Sequence, residues 1–322
     1  MQQLRLLVPA ALTDAVLDVL DAEPSVSGLA VIRGASLRPH GDVVLADVTR
    51  ETVNDVVDQL IDVGVQQEGT IQIGPVPTWV SRPGFEAEQA DPGSAADAMN
   101  WPEVTQRAYE DSELNWTYLS FMIMATVIAA IGIVLDSQIL TIGSMVLGPE
   151  FGAIAALGLA IVRRRTALLG FAFRTLVLGF AVAIAATTLL SLLARALGWV
   201  TPEDVTGSRP DTAFIYSPDT WSVIVAVIAA AAGVLSLMAN KVGGLSGVFI
   251  SVTTVPAAGN VALGIAFGAW SEVSGSALQL LINIGCMATA GALTLALRGV
   301  LWPRLSLRAR LFPRLSERAR RL

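Results

Sequence analysis

The chain has 322 residues, 53 % of them hydrophobic and only 15 % charged, with a mean hydropathy of +0.62. Soluble domains carry about a quarter of their residues charged and disordered chains lack apolar surface, so both classes are excluded in favour of a membrane protein. One cysteine, Cys286, and one histidine, His40, exclude an intramolecular disulfide, a thiolate cluster and a multi-histidine metal centre, and no metal or cofactor is expected. Residues 1–117 hold 19 acidic and 6 basic residues, whereas residues 118–322 hold 8 acidic and 15 basic ones. An acidic soluble domain is therefore fused to a basic membrane domain. Lys241 is the only lysine, and the Ala, Val and Gly usage fits a GC-rich bacterial genome.

In chain order, the first ten residues are apolar, but Asp14, Asp18 and Asp21 follow at once. That pattern is not a cleavable signal peptide, and the N-terminal domain is expected to fold in the cytoplasm. Residues 3–9 read as a strand. Residues 12–23 read as a helix, with Leu12, Val16, Leu17 and Leu20 on one face. Residues 26–33 and 42–48 read as strands joined near His40-Gly41-Asp42. Residues 52–63 form a second amphipathic helix with Thr52 near its N-cap, and 70–76 close as a strand. The order βαββαβ defines an α+β, ferredoxin-like domain over 1–79. Gly28 and Gly34 read as turn glycines, and His40 as a solvated turn residue without a partner. Residues 80–117 are a polar linker followed by a short amphipathic helix from Trp101 to about Glu113. Trp101, Trp116 and Tyr118 stand where an aromatic belt precedes a membrane span.

A spanning helix needs about 20 apolar residues. Such runs lie at 118–135, 139–162, 167–197, 221–239, 245–269 and 276–297, and Gly and Pro interrupt the second and fifth. In the third, Arg174 and Arg195 are expected to snorkel toward opposite faces. Arg163, Arg164 and Arg165 follow the second run, Lys241 the fourth, and eight arginines fill 298–322. Asp136, Glu203, Asp204, Asp211, Asp219 and Glu272 fall in the alternate loops. Both termini are then cytoplasmic, in a multi-pass protein of a bacterial inner membrane. Within the tail, Arg304, Arg308, Arg310 and Arg314 belong to two copies of a basic amphipathic motif suited to an anionic inner leaflet, not to nucleic acid.

The second and fifth runs resemble one another. At an offset of 107 residues, Ser144 falls on Ser251, Pro149 on Pro256, Gly152 on Gly259 and Ala155 on Ala262. Each copy has one run on either side, giving repeats 118–197 and 221–297. Three spans per repeat put the second copy upside down, so an inverted 3+3 repeat with broken helices two and five is expected. Freed backbone groups at such breaks are tolerated only against protein or a wet cavity.

The stretch Asp136-Ser137-Gln138 with Ile142-Gly143-Ser144-Met145-Val146-Leu147-Gly148-Pro149-Glu150-Phe151-Gly152 resembles the first signature of domain of unknown function 389, a bacterial membrane family. Gly243-Gly244-Leu245-Ser246-Gly247-Val248-Phe249-Ile250-Ser251-Val252-Thr253-Thr254-Val255-Pro256 resembles its second, and Leu281-Ile282-Asn283-Ile284-Gly285 its last helix. The resemblance covers about residues 100–300. It implies six spans and supplies no substrate.

Glu150 is the one acid well inside a run, and intramembrane acids are functional by default. It is read as a proton or cation site, with a structural cap of the freed N–H groups after Pro149 as the alternative. Asn260 and Asn283 are candidates for holding cargo or for joining helices. Ser144, Thr253 and Thr254 are candidates for lining the same place, unless their hydroxyls bond back to the preceding turn. With Pro149, Gly152, Pro256 and Gly259 these residues define an expected path for a small ion or polar solute. The expected function is transport, with the soluble domain regulating the path or tying a homo-oligomer together. The alternative is a membrane-anchored sensor or scaffold whose spans only oligomerise. The absence of histidine from the runs, of a second acid near Glu150 and of a nucleophile elbow argues against an enzyme.

Overall fold

The computed structural model describes residues 1–91, 98, 100–215, 220–238 and 253–301. Lys241, Ser251, Arg304, Arg308, Arg310 and Arg314 lie outside the described residues. The described chain divides into two compact units, one within 1–104 and one within 105–299.

In the first unit β1 (Gln2–Pro9), α1 (Thr13–Asp21), β2 (Val26–Leu37), β3 (His40–Val48), α2 (Val53–Asp62), a single-turn α3 (Val65–Glu68) and β4 (Thr70–Pro75) follow in order. The sheet order is β2-β3-β1-β4 with neighbours antiparallel, the arrangement of a split βαβ domain. Along β1, Leu4, Leu6 and Val8 are buried while Gln3 and Arg5 face out. These side chains meet Val16 and Leu20 of α1 and Val53, Val56, Val57 and Leu60 of α2, which recur at helical spacing.

Two features differ from the sequence reading. β2 extends to Leu37 because register shifts between Val26 and Gly28 and between Ile32 and Ser36 absorb extra residues. Gly28 and Gly34 thus lie within a strand, and Gly34 takes a positive φ of 69° at the second irregularity. There the Asp42 carboxylate accepts from Gly34 N (2.7 Å) and Arg33 Nη1 (3.0 Å). The Gly34 N–H, then the Thr13 hydroxyl and Arg33, hold its carboxyl below the ordinary range. Second, the expected linker contains α4 (Arg82–Ala90), which Ser81 caps by accepting from Gly84 N at 3.1 Å. Asp91 then accepts from the hydroxyls of Thr49 and Thr52. Thr52 therefore ties this segment to the domain and makes no side-chain cap on α2.

The second unit is helical. α5 (Trp101–Asp111) leads into it, followed by α6 (Trp116–Val134), α7 (Gln138–Leu147), α8 (Glu150–Val162), α9 (Thr166–Ala196), α10 (Pro202–Thr206), α11 (Thr220–Met238), α12 (Thr254–Phe267) and α13 (Trp270–Leu301). Among the described residues, α6, α9 and α13 are long and apolar enough to cross a membrane. α7 and α8 together match one further span, bent by 55° at Gly148-Pro149. α11 and α12 are shorter apolar helices.

Hydrogen bonds define two ends of this bundle. At one end Thr175 Oγ1 donates to Ser112 O (2.6 Å), placing the chain before α6 beside the early turns of α9. The exposed Arg163-Arg164-Arg165 turn leads into that same part of α9. At the other end Thr212 Oγ1 donates to Asp136 Oδ1 (2.8 Å), joining the α6–α7 turn to the chain between α10 and α11. The pair α7–α8 thus returns from the end where α6 stops to the end where it starts. α12 lies along α9 in the same direction: Thr188 Oγ1 donates to Ala262 O (3.3 Å) and Arg195 Nη1 to Ala266 O (2.8 Å). Arg195 also lies over the Phe267 ring, 5.4 Å from its centroid. It therefore closes the C-terminus of α12, and both Arg195 and Arg174 are exposed. α12 also packs on α6, where a Cβ on Gly259 would meet Thr126 O and Ala130 N at 3.1 Å. Only a residue without a side chain allows that approach.

Candidate functional site

α8 and α12 both begin inside the bundle, and their first turns meet. Gly148 ends α7 through its N–H bond to Ser144 O, and Pro149, which has no N–H to give, precedes the first residue of α8, Glu150. Pro256 sits in the first turn of α12, where a missing N–H costs nothing. Thr254 Oγ1 donates to Glu150 Oε1 at 2.6 Å. Glu150 is 5 % exposed, and its Oε2 is buried without a hydrogen-bond partner among the described residues. Two helix N-termini stabilise negative charge, which helps to explain a carboxylate at this depth. They do not supply a partner for the second oxygen, and an orphaned buried carboxylate oxygen calls for one. A Cβ on Gly148 would collide with Oε2, so the carboxylate folds over a bare backbone.

A polar stripe continues from this junction. Glu272, Ser276, Gln279 and Asn283 recur along one face of α13, and the last three are nearly fully buried. Asn283 Nδ2 and Gln279 Nε2 donate to Thr253 Oγ1 at 2.9 and 3.3 Å, and Gln279 Oε1 has no partner among the described residues. Nearer the second end, the fully buried Asn260 donates through Nδ2 to Ser276 Oγ and to Glu272 Oε2, both at 2.8 Å. Arg209, 4 % exposed, donates to Asn260 Oδ1 (3.2 Å) and to Glu272 Oε2 (2.8 Å). A buried pair of this kind survives only with further hydrogen bonds, and Asn260 supplies them.

At the first end a cavity of about 430 Å³ is lined by Arg107, Asp111, Tyr118, Gly148, Pro149 and Gly152, among others. Gly152 contributes only backbone there, because a Cβ would press on the Asp111 side chain. The cavity thus reaches the backbone over which the Glu150 carboxylate folds.

The residues expected on a path fall into groups. Glu150, Thr253, Thr254 and Asn283 gather at the junction. Pro149 and Gly152 line the cavity, Gly259 forms a helix crossing, and Pro256 opens α12. Ser144 Oγ donates to Thr141 O at 2.6 Å, so its hydroxyl serves its own helix. Asn260 belongs to the second cluster, with both Nδ2 hydrogens and its carbonyl oxygen bonded to protein groups. Arg209, Ser276 and Gln279 were not anticipated, and Glu272 was expected in an exterior loop. The spacing of Glu272, Ser276, Gln279 and Asn283 is the sequence signal that would have found three of them. Nothing in the sequence singles out Arg209, which reaches its partners from an irregular loop.

Apolar helices long enough to span, one of them broken, with polar side chains turned inward, define the class of a membrane-associated helical protein. Residues 145–289 match the family described as Domain of unknown function (DUF389). The matched segment contains Glu150, Arg209 and the whole α13 stripe. An uncharacterised protein of Methanocaldococcus jannaschii is 30 % identical over 183 residues, covering 56 % of this chain and 54 % of that protein. The chain thus spans about half the length of the curated relative it matches. No solved structure matches.

Proposed function

We propose that this is a membrane transport protein, not an enzyme, that moves a small ion or polar solute between α8, α12 and α13. The observation that carries the reading is the buried polar line from Glu150 through Thr254, Thr253, Asn283 and Gln279 to Asn260 and Glu272. Apolar side chains would fill a merely structural bundle more cheaply, and intramembrane polar groups gather where solutes pass. In this reading Glu150 binds a proton or a cation, and the freed backbone at Gly148-Pro149 faces a wet cavity.

The same reading makes the bundle an inverted 3+3 repeat of six spans. Support comes from direction: α8 runs from the junction toward the Arg163–Arg165 end, and α12 runs from it toward the Asp136 end. Half-helices that diverge from one midpoint are what an inverted pair requires. The arginine turn then faces an anionic cytoplasmic leaflet of a bacterial inner membrane, with both termini on that side, and the N-terminal domain regulates the path or joins copies into a homo-oligomer.

The test is flux in proteoliposomes under imposed proton, sodium and potassium gradients, comparing wild type with Glu150→Gln. Flux in the wild type that disappears in the variant is expected. A wild type without flux for these ions or for small polar solutes removes the transport reading. Unchanged flux in Glu150→Gln reduces that residue to a helix cap.

A further inference from the structure

The Arg209 guanidinium occupies the place a cation would take. It contacts the Glu272 carboxylate and the Asn260 carbonyl oxygen, and Asn260 in turn donates to the Ser276 hydroxyl, with Asn260 and Ser276 fully buried. These are hard oxygen donors of the kind that bind alkali and alkaline-earth ions. Arg209 itself stands on no long helix. It follows the single-turn helix α10 and Gly207, and precedes Pro210, on a segment fixed at two points. On one side Val205 of α10 is fully buried, and on the other Thr212 is bonded to Asp136. A short irregular segment between two anchors can lift one side chain without unpacking a helix.

We propose that Glu272, Asn260 and Ser276 form a cation-binding site at the second end of the polar line, and that Arg209 is a tethered cation that plugs it. The proposal deepens the transport reading by naming a cation as the cargo or coupling ion. It gives a reason for a guanidinium buried against the Glu272 carboxylate, and for Asn260 turning its carbonyl oxygen toward Arg209. In the described arrangement the cavity at the first end reaches the Glu150 junction, while the second end is closed by the plug. Withdrawal of Arg209 frees the Glu272 carboxylate oxygen and the Asn260 carbonyl oxygen beside the Ser276 hydroxyl, and the ion and the arginine compete for those two acceptors.

The test uses the full chain in detergent and reads thermal stability with added sodium, potassium or calcium chloride against choline chloride at equal ionic strength. A site seated by its plug most of the time hides its affinity in proportion. Arg209→Gln is therefore expected to respond to at least one of these cations at a concentration lower by about tenfold or more than wild type. Arg209→Gln combined with Glu272→Gln is expected to lose the response. Should Arg209→Gln not fold, Arg209→Met fills much of the same space without a charge, and the same increase in response is expected of it. A variant that responds no more than wild type overturns the proposal, as does a double variant that responds as well as Arg209→Gln. The readout does not depend on flux: a silent wild type in liposomes with a responsive Arg209→Gln removes transport and keeps the site. A transporting wild type with an unresponsive variant removes the site and keeps transport.

Discussion

Glu150 and Thr254 stand 104 residues apart in the chain and 2.6 Å apart in space. The hydroxyl is the donor that makes one carboxylate oxygen tolerable inside the bundle. Thr254→Val keeps the shape and removes the donor, leaving both oxygens unpaired, and is expected to cost about 1–3 kcal/mol. Thr254→Ser is expected to restore most of it, and melting in detergent compares the three. Gly259 gives a second residue-scale prediction. Gly259→Leu drives a side chain into the α6 backbone at Thr126 and Ala130, and overpacking of this kind costs about 1–3 kcal/mol. Gly285, where an added Cβ would meet nothing, is the control position: Gly285→Ala is expected to leave melting unchanged or slightly higher. Glu150 was identifiable as an acid in an apolar run, and its isolation from other acids in sequence was equally plain. Its partner was not, because hydroxyl residues are common in apolar helices and only the fold selects Thr254 from among them.

At the scale of elements, periodicity and breakers carried most of the information. The strands and helices of the N-terminal domain follow from alternation and helical spacing, and the break at Gly148-Pro149 from proline chemistry. What periodicity missed was irregular: the β2 extension, where Gly34 at positive φ lets the strand resume, and α4, whose composition is polar enough to read as a linker. The Asp42 carboxylate secures the first of these. Its folded-state value lies below the ordinary 3.8, so its stabilisation is present above that value and is lost as pH falls through the folded value. Asp42→Asn keeps the Gly34 contact but discards the charge. Pulse proteolysis of the full chain in urea is expected to show Asp42→Asn weaker than wild type at neutral pH. The difference should shrink as pH drops through the acid range, and a constant difference would remove the linkage.

For the whole molecule, the division into an acidic N-terminal part and a basic apolar part was readable from charge alone, and the helical runs from hydropathy. The two-ended organisation needed the structure, since it rests on contacts such as Ser112 with Thr175 and Asp136 with Thr212. It also yields the measurement that separates transport from a sensor or scaffold. A scaffold has a dry bundle in which the Pro/Gly breaks only accommodate neighbours. A transport path wets both faces of the Glu150–Thr254 junction in turn. After Cys286→Ser, single cysteines at 148–153 and 253–260 are challenged with a membrane-impermeant thiol reagent in sealed vesicles, from each side separately. Reactivity is expected at Pro149 and Phe151 from the Arg163–Arg165 side, because both line the cavity there. From the opposite side, Asn260 is expected to stay unreactive until Arg209 is replaced. Loop cysteines at Asp204 and Arg164 report which side is which. Uniform protection at all these positions, with the loop controls labelled, would leave the polar line as internal glue and favour the scaffold.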